Sequence, residues 1–245
     1  GGGGGGGYFD SSTLGIDSDG EGGYGAGAGY HGAGGGGLGA GGAIFVFGGQ
    51  VTISNSTLAD NSAAGGLAFM SSRVSGEALG GGLFNLNGRV RLLNSTVAHN
   101  QAQRSTNKPV DASKPPRSHG GGVFHLQHGG WAHSSLEISN SVIGSNQGTY
   151  DLATENSAEV TSSGPSLVQT CEFCDDVARV GSLRLVVGQD PQLAATPDPS
   201  GSTPTLPPLA SSPVVGRGEP GVCSAAPVGG LDQRRQTRPQ AACTL

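Results

Sequence analysis

The chain has 245 residues, 47 of them Gly; 34% is hydrophobic, 5% aromatic and 13% charged, against about a quarter charged in an average globular domain. Gly costs about 1 kcal/mol per helix position, which excludes a helical bundle, and the Gly residues keep no three-residue register, which excludes collagen. The net charge of −5, with Lys108 and Lys114 as the only Lys, excludes a basic nucleic-acid surface, and no window approaches the roughly 18 apolar residues of a transmembrane helix.

Residues 1–40 read as a Gly-rich low-complexity segment with Tyr8, Tyr24 and Tyr30 interspersed; 24 of the 47 Gly fall in residues 1–49. There is no initiator Met and no signal peptide, so the expectation is a processed product or a fragment. Within this segment Asp17, Asp19 and Glu21 resemble half of a calcium loop, with Gly20 at the sharp turn. The bidentate Glu that closes such a loop is absent. The expectation is no cofactor, with calcium here as the alternative; zinc on the four Cys would need a second close pair, which is missing.

A repeat follows. Residues 41–63 read GGAIFVFGGQVTISNSTLADNSA, 81–102 read GGLFNLNGRVRLLNSTVAHNQA, and 121–148 read GGVFHLQHGGWAHSSLEISNSVIGSNQG. Aligned on their leading Gly pairs, Ile44, Phe84 and Phe124 share a column, and Val46, Leu86 and Leu126 share the next inward one. Phe45, Asn85 and His125, then Phe47, Asn87 and Gln127, fall on the outward side. A second strand puts Val51, Val90 and Leu136 in one column and Ile53, Leu92 and Ile138 in another, with Thr52, Arg91 and Glu137 facing water between them. A third carries Leu58, Val97 and Ile143. Period-two alternation is the mark of a half-buried strand.

Each unit thus holds three short strands in about 22–28 residues, separated by Gly or Asn corners. This predicts an all-β protein, a parallel β-helix in which each coil stacks on the last. Two ladders support it: Asn55, Asn94 and Asn140 form one column, and Asn61, Asn100 and Asn146 another. Stacked Asn amides can bond to one another and to the corner backbone. Successive units lie 39 and 46 residues apart, leaving loop insertions at 64–79 and 103–119. The coils are expected over 41–190, and Pro concentrates in the tail, 191–245.

Four Cys, Cys171, Cys174, Cys223 and Cys243, allow three pairings. The Cys171/Cys174 C-x-x-C has acidic neighbours Glu172, Asp175 and Asp176, which disfavour a reactive thiolate, so a small structural disulfide is expected. His119, His125, His128 and His133 lie close in sequence but read as surface His. Arg234, Arg235 and Arg238 read as a solvated or salt-bridged turn. Arg91 and Glu137, one coil apart, read as a surface pair rather than as acid–base machinery.

The apolar-x-x-Asn steps, Leu58 to Asn61, Val97 to Asn100 and Ile143 to Asn146, after a Gly-Gly start, resemble the GGAI and FxxN repeats of polymorphic outer-membrane protein β-helices. The later order is similar to bacterial secreted proteins with a choice-of-anchor Q domain. It comprises SNQGTYDLATENSAEVTSSGPSLVQ (145–169), DPQL (190–193), STPTLPPLASSPVV (202–215), Cys223, DQRRQTRPQ (232–240) and Cys243. The similarity covers roughly residues 40–243. Departures fall on the terminal cap: Gly216-Arg217-Gly218 for the usual Asp-Ala-Gly, Arg235 for the usual Gly, and an Ala-Cys-Thr-Leu end.

The resemblance implies a right-handed, single-stranded β-helix on a secreted or cell-surface protein, with a Cys223–Cys243 bridge closing a Pro-rich C-terminal cap. The expected function is a non-catalytic extracellular structural or adhesive module. It would associate with itself, head to tail into a filament or surface layer, or with other surface proteins or glycans. The alternative is a polysaccharide lyase or glycoside hydrolase on the same fold.

Overall fold

The computed structural model describes residues 23–27, 35–68, 75–105, 116–129, 134–156, 158–172, 185–239 and 243–245. The chain is all-β, built from parallel strands. The first unit holds β1 (Gly39–Ala40), β2 (Ile44–Phe47), β3 (Gln50–Ser54), β4 (Thr57–Ala59) and β5 (Ser62–Ala64). The second repeats these as β6 (Ala78–Leu79), β7 (Leu83–Leu86), β8 (Arg89–Leu93), β9 (Thr96–Ala98) and β10 (Gln101–Gln103). The third has β11 (Ser118–His119), β12 (Val123–Leu126), β13 (Ser135–Ser139) and β14 (Val142–Gly144). A fourth follows with β15 (Leu152–Glu155), β16 (Glu159–Thr161) and β17 (Ser166–Val168), then β18 (Leu185–Val187) and the short helix α1 (Pro220–Ser224).

Each unit gives one strand to each sheet, so neighbours in a sheet come from successive units. The orders are β1-β6-β11, β5-β10, β2-β7-β12-β15, β3-β8-β13-β16 and β4-β9-β14-β17-β18. The second and third strands keep the expected register: Val51, Val90, Leu136 and Val160 pair in line, as do Leu58, Val97, Ile143 and Val168. The spans read as loops, 64–79 and 103–119, each end in a short strand, β6 and β11.

The first strand differs from its expected register by one residue. Ile44 pairs with Leu83 and Leu83 with Val123, while Phe45, Phe84 and Phe124 share the next column. The glycines explain the slip. Gly41, Gly80 and Gly120 all take φ of 60–66° at the same corner, so Gly41-Gly42-Ala43 matches the triplets Gly80–Gly82 and Gly120–Gly122 rather than the pairs next to Leu83 and Val123.

One residue reverses the faces. The inward column is Val46, Asn85, His125 and Thr154; Asn85 and His125, read as outward, are fully buried. The Phe column lies on the opposite face. There Phe84, Phe124, Leu126 and Leu79 form a second apolar cluster with Tyr24, Leu38 and Leu86 packed on it. In β7 and β12 the sheet is therefore covered on both faces, so alternation gives no phase there, whereas Phe45 and Phe47 of β2 stay exposed. The main core lies on the other side, from Leu83, Val90, Leu92, Val97, Ile138 and Ile143 among others.

The Gly-rich approach has a packing reason. A Cβ on Gly39 would overlap the Ala64 backbone, and Cβ atoms on Gly36 and Gly76 would overlap the backbones of Gly66 and Gly37. The tail lies alongside the units: Leu193, Val214 and Leu245 pack on Val142 and Leu167, covering the outer face of the β4-to-β18 sheet.

Candidate functional site

All five strands of the first unit stand at the end of their sheets, so each has its outer edge unpaired among the described residues. Parallel pairing leaves alternating backbone N–H and C=O groups on such an edge, ready to accept another strand. The side chains there match. Phe45 is 52% exposed, Phe47 68% and Leu67 62%, large apolar groups gathered on one unit. Phe45 also ends an aromatic column: its ring stacks on Phe84 at 5.1 Å, and Phe84 on Phe124 at 5.6 Å. The spacing is near the strand spacing of about 4.8 Å, so the rings of the first three units stack in register; Ala153 takes the position in the fourth unit, and Phe45 is the exposed outer ring.

Arg117, just before β11 of the third unit, gathers three polar groups. It donates to both Glu77 oxygens at 2.7 and 2.8 Å, to Glu155 at 2.8 Å and to the Tyr24 hydroxyl at 3.2 Å; the Tyr24 hydroxyl donates to Glu155 at 2.6 Å. Burial pushes the Tyr24 pKa up, and the Glu155 hydrogen bond adds to it; Glu77 holds Arg117 firmly protonated. The two carboxylates are thus bound to one guanidinium, an arrangement that clamps Tyr24 over the apolar cluster rather than freeing an acid and a base.

The two Asn columns do different things. In one, Asn61 donates to Asn100 Oδ1 at 2.9 Å, Asn100 to Asn146 Oδ1 at 2.9 Å, and Asn146 to Asp151 Oδ1 at 2.9 Å. Each acceptor oxygen also takes the backbone N–H one unit back or, for Asp151, that of Asn146. In the other, Asn55, Asn94 and Asn140 take φ of 46–48°, the left-handed corner, and turn their amides to the tail: Asn55 to the Val228 carbonyl, Asn94 to Cys223 Sγ, Asn140 to Cys223 Sγ and the Glu219 carbonyl.

A third ladder was not foreseen. Ser95, Ser141 and Ser166 Oγ each accept the backbone N–H of the residue one unit back, Ser56, Ser95 and Ser141. The Asn-Ser pair of the first three units, Asn55-Ser56, Asn94-Ser95 and Asn140-Ser141, is the signal that carries it; Ser166 follows Pro165 in the fourth.

His125 is neutral at physiological pH. Its Nε2–H donates to the Glu159 carbonyl at 3.1 Å and its Nδ1 accepts from Asn85 at 2.9 Å, and desolvation pulls its pKa down to about 4. His119 Nδ1 lies 3.5 Å from Glu172, His128 packs its ring against Tyr24, and His133 is outside the described residues. Arg91 and Glu137 form a surface pair at 2.6 Å, with Ser139 and Ser163 also donating to Glu137.

Cys223 and Cys243 form a disulfide; Cys171 is also disulfide-bonded, and Cys174 lies outside the described residues. Asp17, Asp19 and Glu21 lie outside them as well. Among the described residues no three His, Cys, Asp or Glu converge as metal ligands, and no helix is long and apolar enough to cross a membrane. No family model matches the chain, and neither a curated protein nor a solved structure matches it.

Proposed function

We propose that the chain is a non-catalytic extracellular structural or adhesive module, a right-handed parallel β-helix that associates with further copies end to end. One observation carries the reading: among the described residues the first unit presents five unpaired sheet edges together with exposed Phe47 and with Phe45, the outer ring of an aromatic column. An edge that would take one more in-register unit inside the chain would also take one from another copy. A head-to-tail contact of this kind does not close on itself and so propagates. The Cys223–Cys243 disulfide supports an oxidising, extracellular setting.

Sedimentation velocity across a hundredfold range of concentration tests it. The expected result is a series of species that grows with concentration and collapses to a monomer in Phe47→Glu, whose charge on an exposed edge opposes pairing. A wild-type chain that stays monomeric at the highest concentration refutes the reading. Release of new reducing or unsaturated ends from an acidic polysaccharide would favour the enzyme alternative.

A further inference from the structure

A groove of about 410 Å³ with a mixed polar and apolar lining lies between the repeat units and the C-terminal tail. Ser56, Thr57, Asn94 and Thr96 line it from the corners of the first two units, and Thr205, Gln236, Thr237 and Arg238 from the tail. Arg238 is its distinctive element. The guanidinium donates to the Leu231 carbonyl at 3.0 Å, the Thr244 carbonyl at 3.0 Å and Asn55 Oδ1 at 3.3 Å, all neutral acceptors. Among the described residues it forms no ion pair. Asp232 on the same loop is held by Arg234 at 2.9 Å, and Asp198 lies 3.4 Å from Arg234.

A guanidinium half out of water without a counter-ion is unusual, because desolvation disfavours the charge; it pulls the Arg238 pKa down. Three of its five N–H groups are used, so donors remain for a planar anion. Arg234 on the wall is taken up by Asp232 and Asp198, so among the lining side chains Arg238 is the positive charge left for a ligand. The hydroxyls of Thr96 and Thr237 and the amide of Gln236 have no protein partner among the described residues, and they line the same space. Leu206, Pro207 and Val215 add an apolar patch. One carboxylate, several hydroxyls and a weakly apolar ring face satisfy this wall together. A bare inorganic anion would leave most of it unused.

We infer that the groove binds a sugar acid, its carboxylate on Arg238 and its hydroxyls on Thr96, Thr237 and Gln236. The ligand is a hexuronate, free or as a unit of an acidic glycan. The inference does not depend on end-to-end association, although the groove shares Thr57 of β4 with the first unit's outer edge.

Calorimetric titration of the intact chain with glucuronate, a short oligogalacturonate, glucose, acetate and inorganic phosphate tests it. Glucuronate is expected to bind at least tenfold more tightly than glucose, acetate or phosphate. Arg238→Met should weaken it at least tenfold, Arg238→Lys less, and Thr96→Val about threefold. Thr96 makes no contact with the tail's Arg238 bonds, so that variant reads the site even where Arg238→Met loosens the tail. Tighter binding of the oligomer than of glucuronate assigns the site to a glycan chain; equal binding assigns it to the free acid. The inference fails where glucuronate does not bind at millimolar concentration, where acetate or phosphate binds as well, or where both Thr96→Val and Arg238→Met leave affinity unchanged.

Discussion

Asn94 and Asn140, one unit apart, both direct their side-chain amides to the same atom, Cys223 Sγ, each at 3.2 Å. Two corners of the stacked units thereby hold one point of the tail, and the disulfide to Cys243 holds it from the other side. Asn140 adds a reciprocal pair with Glu219, accepting its N–H at 2.8 Å and donating to its carbonyl at 3.0 Å. Replacing Asn140 with Gly keeps the left-handed corner and removes these bonds. The expected loss is about 2 kcal/mol in urea unfolding, with Asn140→Ala about 1 kcal/mol worse because φ of 48° strains a Cβ.

The Asn61–Asn100–Asn146–Asp151 ladder predicts a graded series. Asn100 both donates and accepts within it and bonds the Leu58 and Ala98 carbonyls, whereas Asn61 stands at the open end. Asn100→Ala leaves several buried groups unpaired and should cost about 3 kcal/mol, against about 1 kcal/mol for Asn61→Ala. Equal losses in chemical denaturation would contradict the ladder.

Phe84 is 1% exposed between two stacked rings, so Phe84→Ala should cost about 3–5 kcal/mol. Phe45→Ala, half in water, should cost well under half of that while weakening end-to-end association. Thermal melts paired with sedimentation separate the two effects.

His125 sets an acid limit on stability. Its folded pKa is about 4 and its unfolded value 6.5, so between those values the unfolded chain binds more protons and stability falls as pH decreases. The full effect, reached below pH 4, is about 3 kcal/mol; above pH 6.5 it vanishes. In His125→Gln the fall between pH 6.5 and 4 should flatten, read as the urea midpoint at each pH. A wild-type slope retained in the variant would assign it elsewhere.

Reducing Cys223–Cys243, with a sequence separation of 20, frees a loop whose closure is worth about 3 kcal/mol. Hydrogen exchange should then rise in 191–239 and little in the β3-β8-β13-β16 sheet. By contrast Arg91→Ala, with the Arg side chain half exposed, should change stability by less than about 1 kcal/mol.

The second strand was legible because one face is buried and the other is not: Val51, Thr52, Ile53 alternate, and so do Val90, Arg91, Leu92; the third, covered on both faces, was placed by its apolar-x-x-Asn step, Leu58 to Asn61, Val97 to Asn100 and Ile143 to Asn146. The first strand was not, because both of its faces are covered. Phe84 and Leu83 are equally buried, so alternation carries no phase, and only the Gly corners fix it. His125 and Asn85 looked outward for that reason.

From the sequence alone came the repeating parallel units, the Asn61 ladder and the left-handed Asn corners, since in-register repetition places each residue about 5 Å from its own counterpart. The tertiary structure decided what the non-repeating chain does against those units. It turned Asn55, Asn94 and Asn140 from a self-pairing column into a seat for the tail. It also set Arg238 in a groove with no carboxylate partner among the described residues. A repeat records its contacts with the next copy of itself, whereas a segment that occurs once leaves no periodic trace of what it lies upon.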